Sequence, residues 1–169
     1  MPSLFLVMLG GRHARANTEV HDVVVATGES LEQVYPQLRQ AWFGEAKGLH
    51  IDAWAQIQGV QFEDKNYQLQ FKPTPVAQSA EKLYLINLGG YDPREFGELH
   101  RYVFVVAQNE MVAKVKGKQY FAAHWQKQHT DRVLEVDDCL HIGEVQGQYV
   151  HLIEGDFASN QWENCYLTL

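Results

Sequence analysis

One segment of this chain occurs twice, and this repetition constrains the fold more than any other feature. Residues 4–11 read Leu-Phe-Leu-Val-Met-Leu-Gly-Gly, and residues 83–90 read Leu-Tyr-Leu-Ile-Asn-Leu-Gly-Gly, at an offset of 83 − 4 = 79. Over residues 4–25 this offset gives nine identities in 22 positions. Agreement at one fixed offset over such a length indicates a duplicated folding unit.

The match returns further along the chain with a different offset. Leu49 and Asp52 meet Leu134 and Asp137 at 134 − 49 = 85, so the second copy carries 85 − 79 = 6 extra residues, expected around 122–130. The sequence therefore divides into a first repeat, a Pro- and Ser-containing linker, and a second repeat with a C-terminal extension, which we expect to form one compact unit. Their bounds are 1–72, 73–82 and 83–169.

Hydrophobic patterning predicts a β-β-α-β-β order for each repeat. Residues 4–9 form an apolar run of strand length that Gly10-Gly11 is expected to end, and residues 20–26 are rich in β-branched side chains. Ser30 suits a helix N-cap, with Gln33 at the capping-box position. In the second repeat, Asn109 is the corresponding cap.

A unit of this size buries little surface alone, so we expect two copies to pack about a pseudo-twofold axis, as in a dimer fused into one chain. The predicted class is α+β, with mainly antiparallel sheet and helices on one side.

Composition excludes several kinds of function. The chain has 14 basic and 21 acidic residues, a formal net charge of −7, and no basic stripe, so we expect neither nucleic acid nor an anionic membrane as a partner. Its first apolar run is too short to span a membrane. Two cysteines, Cys139 and Cys165, without C-x-x-C spacing favour a reducing compartment and predict a cytoplasmic protein.

The repeated glycine pairs are one candidate site. Backbone N–H groups beside glycines can cradle an anion, and an arginine four residues beyond each pair could clamp a carboxylate or phosphate. The alternative is a turn that requires glycine, with the arginine paired locally to a glutamate. The residues concerned are Gly10, Gly11 and Arg15 in the first repeat and Gly89, Gly90 and Arg94 in the second.

The repeated Glu-x-His pairs are the second candidate site. Residues i and i+2 of an extended chain face the same side, so Glu19 and His21, like Glu98 and His100, present a carboxylate and an imidazole together. Such groups suit acid–base catalysis, with Glu19 and His21 as candidates, or metal binding. The alternative is a hydrogen bond that pins the loop to the strand.

A further pair on the next strand would enlarge this site. His50 and Asp52 also share a strand face, so a divalent metal could be held by Glu19, His21, His50 and Asp52. The corresponding positions in the second repeat are Glu135 and Asp137. Because the first repeat has additional candidates in Arg12 and His13, we expect it to carry the site if only one half does.

The segment L-F-L-V-M-L-G-G-R-H-A-R-A-N-T-E-V-H-D-V, with Y-P-Q-L-R-Q-A-W-F-G and G-L-H-I-D-A-W, resembles a bacterial family known as a domain of unknown function (number fifteen-forty-three). The resemblance covers nearly the whole first repeat, and the second repeat matches more loosely. It implies a bacterial protein with two tandem copies of the domain, and it implies no activity, cofactor or partner.

Three hypotheses for function follow from the sequence. The first is a cytoplasmic protein that binds a small anionic ligand or a peptide through the Gly-Gly, Arg and Glu-x-His loops. The second is a metal-assisted or acid–base hydrolase that uses the Glu-x-His of the first repeat. The third is a protein–protein interaction module, for which a homodimer is one arrangement.

Overall fold

The structure is a computed structural model that describes residues 2–125 and 135–169. Its elements, in chain order, are β1 Ser3–Gly11, β2 Val20–Gly28, α1 Leu31–Ala41, β3 His50–Ile57, β4 Gly59–Phe62, β5 Lys65–Lys72, β6 Lys82–Gly90, β7 Leu99–Ala107, α2 Glu110–Trp125, β8 Glu135–His141, β9 Glu144–Val145, β10 Gln148–Glu154 and β11 Gln161–Thr168. Each half begins with the predicted β-β-α-β-β order and then continues with one more strand in the first half and two more in the second. The insertion expected around 122–130 lies largely outside the described residues.

The strands form three sheets, and one of them joins the two halves. The first sheet has the order β11-β3-β1-β2, the second β4-β5-β10-β9 and the third β7-β6-β8. Every strand pair in the described part of the chain is antiparallel. The predicted α+β class with mainly antiparallel sheet is therefore confirmed. Because β5 of the first half pairs with β10 of the second, the middle sheet belongs to both halves.

The first and third sheets have the same internal register. Gly10 pairs with His21 across β1 and β2, and Gly89 pairs with His100 across β6 and β7, with both members shifted by 79 residues. The ladder between β1 and β3 has a bulge between Met8 and Leu9, and the ladder between β6 and β8 has one between Asn87 and Leu88. The two halves therefore place corresponding residues at corresponding points of their sheets.

The helix α1 covers one face of the first sheet because its apolar side chains have helical spacing. Val34 and Leu38 are fully buried against alternate residues of β1, which include Phe5, Val7 and Leu9. The opposite face of β1 contributes Leu4 and Leu6 to a second core, shared with the middle sheet and with β6 and β7. The second helix packs on the third sheet, on strands β6, β7 and β8.

Both predicted helix caps are observed, although they differ in their contacts. Asn109 accepts a hydrogen bond from the backbone N–H of Val112 at 3.0 Å, which satisfies one of the free donors at the start of α2. Ser30 is the N-cap of α1 but makes no side-chain cap bond. The Gln33 side chain instead accepts from the N–H of Glu29 at 3.0 Å.

The predicted break at the glycine pair is wrong. Gly10 and Gly11 are the last two residues of β1, where they pair with His21 and Val20. Gly89 and Gly90 likewise end β6 within its ladder. None of the four has a positive φ, so a turn is not the reason for glycine there. At Gly10, Gly11 and Gly89 a Cβ atom would instead collide with neighbouring side chains.

No helix in the described residues is both long enough and apolar enough to cross a membrane.

Candidate metal centre

The register of the first sheet places Gly10 between two histidines. Gly10 pairs with His21 of β2 on one side and with His50 of β3 on the other. A Cβ atom at Gly10 would lie 2.6 Å from Nε2 of His50 and would also collide with Oδ2 of Asp52. Because Gly10 has no side chain, the side chains of His50 and Asp52 can converge in the space next to it.

Four of the predicted residues meet at this point. His21 Nε2 lies 3.3 Å from Oε1 of Glu19 and 3.2 Å from Oδ2 of Asp52. His50 Nε2 lies 3.5 Å from Oε1 of Glu19 and 3.3 Å from Oδ1 of Asp52. We call these four residues, Glu19, His21, His50 and Asp52, the first-half cluster.

His50 is the buried member of the cluster, and its orientation is fixed. Its side chain is 1% exposed, whereas those of Glu19 and His21 are about half exposed to solvent. Nδ1 of His50 lies 2.8 Å from the backbone carbonyl oxygen of Gly48. A carbonyl only accepts, so Nδ1 carries a proton, and this hydrogen bond directs Nε2 into the cluster, where the neutral tautomer offers a lone pair.

Two buried polar atoms of the cluster lack a hydrogen-bond partner. Among the described residues, Nε2 of His50 and Oδ2 of Asp52 are buried without a hydrogen-bond partner. Buried polar atoms in proteins are nearly always satisfied, so two such atoms side by side indicate a missing donor or cation. One ligand atom each from Glu19, His50 and Asp52 lies within 4.8 Å of the others, a spacing that a single metal ion could bridge.

The second half repeats this geometry with a different set of residues. Glu98, His100 and Asp137 cluster beside Gly89, and Nδ1 of His100 lies 3.3 Å from Oδ2 of Asp137. All three are more exposed than His50. Glu135 occupies the position that corresponds to His50, but its carboxylate binds Nζ of Lys118 at 2.9 Å. Among the described residues, the second-half cluster therefore has three members, and none of them is a buried imidazole.

In the described part of the chain, neither of the two predicted arginines, Arg15 and Arg94, shows a contact with these clusters. Arg94 makes a two-pronged ion pair with Asp92, at 2.9 Å and 2.6 Å, and this pair raises the pKa of the guanidinium. Arg15 is exposed and donates its backbone N–H to Nδ1 of His13. The ring of His13 packs beside the ring of Phe43, with 5.8 Å between the centroids.

Sequence reasoning missed one neighbour of the cluster. The ring of Tyr166, on strand β11, lies over the ring of His50 with 4.3 Å between centroids and 30° between planes. No local pattern could place the C-terminal strand next to β3. The Gly48 carbonyl was also missed, although its glycine has a φ of +84°, which marks a turn immediately before the strand.

The nearest thiol is held away from the cluster. Cys165 precedes Tyr166 on β11, and its Sγ donates weakly to the carbonyl oxygen of Ile51 at 3.7 Å. Burial raises the pKa of this thiol, and the nearby carboxylates of Glu163 and Asp52 raise it further. A protonated thiol is a poor nucleophile and a poor ligand, so the chemistry here belongs to imidazole and carboxylate.

Comparisons with known proteins match part of the first half to a family and the whole chain to a solved structure. Residues 16–69 match the family model described as Domain of Unknown Function (DUF1543), a span that contains the whole first-half cluster. The chain is also similar to the crystal structure of a protein Il1583 from Idiomarina loihiensis, at 27% identity and a TM-score of 0.72, over 99% of this chain and 97% of that one. No curated protein matches the chain. The resemblance of the first half to this family is thus confirmed, and the shared fold extends over both halves.

Proposed function

We propose that this protein binds one divalent transition-metal ion through Glu19, His21, His50 and Asp52. The observation that carries the proposal is His50, a histidine that is 1% exposed and whose Nε2 has no hydrogen-bond partner among the described residues. Nδ1 of His50 donates to the Gly48 carbonyl, which directs Nε2 at the carboxylates of Glu19 and Asp52. A hydrogen bond of this kind on the far nitrogen is the usual support of a metal-binding histidine.

The electrostatics of the cluster favour a cation. Two carboxylates whose oxygens lie within 4.8 Å of each other repel when both are ionised. The imidazole lone pair of His50 adds a third acceptor that faces the same space. A divalent ion neutralises both carboxylates and satisfies all of these acceptors together.

The donor set also narrows the kind of metal. Two imidazoles and two carboxylates suit Zn²⁺, Fe²⁺, Mn²⁺ or Ni²⁺, whereas Ca²⁺ and Mg²⁺ prefer oxygen ligands throughout. An anionic ligand in direct contact with the cluster would meet like charges. It would therefore be received only through the bound cation.

We also infer that the two halves are copies of one unit, of which only the first retains the full ligand set. The shared register at Gly10 and Gly89 supports this inference, as does the bulge at the same place in both ladders. In the second half, Glu135 replaces the buried histidine and forms an ion pair with Lys118.

The test is zinc binding by calorimetry to tag-free protein, after chelator treatment, with the metal content checked by elemental analysis. We expect about one equivalent for the unmodified chain. His21 is half exposed, so His21→Ala should remain folded and should lower the zinc affinity by more than the 10–100-fold typical of changes outside the ligand shell. His50→Gln should do the same.

His100→Ala is the matched control, because His100 occupies the same place in the second half as His21 in the first. It should leave the high-affinity site unchanged. Absence of zinc binding in the unmodified chain, or equal loss in His100→Ala and His21→Ala, would rule out the first-half cluster as the metal centre.

A further inference from the structure

The C-terminal strand supplies one wall of the first-half cluster. Tyr166 lies over the imidazole of His50 at 4.3 Å between ring centroids, although the tyrosine itself is 67% exposed. His50 lies at the end of a strand, and its neighbours Glu19 and His21 are about half exposed to solvent. The position of Tyr166 explains why the side chain of His50 is nevertheless only 1% exposed. The aromatic ring takes the place of water on that face of the imidazole.

Two irregularities of the sheet meet at this point. The ladder between β11 and β3 shifts register between Asn164 and Leu167, so Cys165 and Tyr166 both stand opposite Asp52. Asp52 is also the residue left out of the ladder between β1 and β3. Bulges often occur beside functional sites because they turn a side chain out of the regular alternation. Here the two bulges lie at Asp52 and Tyr166, the side chains of which both contact His50.

The strand that carries Tyr166 is firmly attached to the sheet. The backbone N–H of Leu169 donates to the carbonyl of Leu49 at 3.0 Å, beyond the last ladder pair. At the other end, the Asn160 side chain accepts from the N–H of Gln58 at 2.7 Å and donates to the carbonyl of Gly59 at 2.9 Å. These bonds fix the strand on both sides of the bulge, so the backbone at Tyr166 is held beside β3.

The second half has neither feature. Among the described residues, β8 is paired only with β6, and no strand occupies the place that β11 takes beside β3. That half also has Glu135 in place of the buried histidine. The buried imidazole and the strand that covers it thus occur together in the first half, and the described part of the second half has neither.

We propose that strand β11 completes the metal centre and that Tyr166 is its positioning residue, which holds the His50 ring and shields it from water. This inference rests on the proposed metal binding. Tyr166 acts through His50: a fixed, desolvated ring keeps Nε2 directed at the ion and slows exchange of the ion with solvent. The contribution comes from the aromatic ring, so phenylalanine can replace tyrosine at this position.

The test uses Co²⁺ as the probe, since its visible absorption reports the coordination of the ion. Tyr166→Ala should change the Co²⁺ spectrum and increase the rate of Co²⁺ release to excess chelator by at least about tenfold, the lower end of effects outside the ligand shell. Tyr166→Phe should have the same Co²⁺ spectrum and the same rate of Co²⁺ release as the unmodified protein. Trp162→Ala is the matched control, because Trp162 is an equally exposed aromatic residue, 72%, on the same strand and is paired with Ala55.

A measurement without metal separates this inference from the proposed function. In the metal-free protein, the ring protons of His50 should show an upfield NMR shift from the Tyr166 ring, which Tyr166→Ala abolishes and Trp162→Ala preserves. Unchanged Co²⁺ release and spectrum in Tyr166→Ala would overturn the positioning role even if the unmodified protein binds Co²⁺. An equal effect of Trp162→Ala on release and spectrum would overturn that role as well. A shifted His50 ring in a protein that binds no Co²⁺ would instead overturn the metal centre and, with it, the role given to Tyr166.

Discussion

Replacement of Gly10 by alanine tests whether the cluster is built around a missing side chain. In the interior of a strand, alanine is ordinarily more favourable than glycine by about 0.5–1 kcal/mol. At Gly10 the new Cβ would lie 2.6 Å from Nε2 of His50 and would collide with Oδ2 of Asp52. His50 is buried and held by the Gly48 carbonyl, so it cannot turn aside.

The expected result is a net loss of stability. Overpacking of a closed site costs about 1–3 kcal/mol, which exceeds the gain from the change of glycine to alanine. We therefore expect Gly10→Ala to lower the free energy of unfolding by about 1–2 kcal/mol. For a chain of this size, such a loss lowers the melting temperature by about 2–8 °C.

The assay is urea denaturation in the presence of chelator, so that the result does not depend on metal. Gly89→Ala is the matched control, since a Cβ there meets Asp137 and Glu98, whose side chains are 29% and 32% exposed and can move into solvent. It should cost less than Gly10→Ala. Removal of the Asp52 side chain in a double mutant should reduce the cost of Gly10→Ala by at least about 0.5 kcal/mol. A Gly10→Ala variant as stable as the unmodified chain, or equal costs at both glycines, would refute this account of the cluster.

Two further predictions concern the rest of the fold. Tyr67 is buried and donates its hydroxyl to Glu81 at 2.7 Å, and burial first, then this bond, raises the pKa of the phenol above its ordinary value of 10.0. The folded state therefore favours the neutral phenol, so this contribution to stability is present below about pH 10 and is lost as the pH rises further. In urea denaturation at pH values rising above about 10, the free energy of unfolding of Tyr67→Phe should fall less than that of the unmodified chain. Equal slopes of this free energy against pH would contradict the role given to Tyr67. Asn109→Ala removes a cap bond of 3.0 Å to Val112 and should cost about 1 kcal/mol, whereas Ser30→Ala, at a cap without such a bond, should cost less than about 0.5 kcal/mol. Equal costs in the same assay would show that the cap bond contributes nothing.

Local chemistry explains what the sequence could predict. The period-2 pattern around Glu19 and His21, and again at His50 and Asp52, correctly indicated which side chains share a face. The caps at Ser30 and Asn109 were predictable because the signal lies within one turn of the helix. Each of these features depends on residues close together in the chain.

The features that the sequence could not predict depend on distant residues. The glycine pair was expected to end a strand because glycine is a poor strand former. The structure keeps Gly10 in the strand because His50 and Asp52, about forty residues away, need the space above it. Likewise, nothing near Tyr166 in sequence indicates that its strand lies beside β3. The pairing of β5 with β10 is equally remote.

The two halves show that the backbone alone does not define the site. Both halves place a glycine between two facing strands, and both bring a carboxylate, an imidazole and an aspartate to it. Only the first half has a histidine at the fourth position and an aromatic ring above it. In the second half, Glu135 turns to Lys118 and the cluster stays open to water. A single substitution, His50→Glu, should therefore make the first half resemble the second, since the Glu carboxylate would add a third acidic group and the buried imidazole nitrogen would be lost. Zinc binding that survives this change at full affinity would show that the buried imidazole is not the feature that separates the two halves.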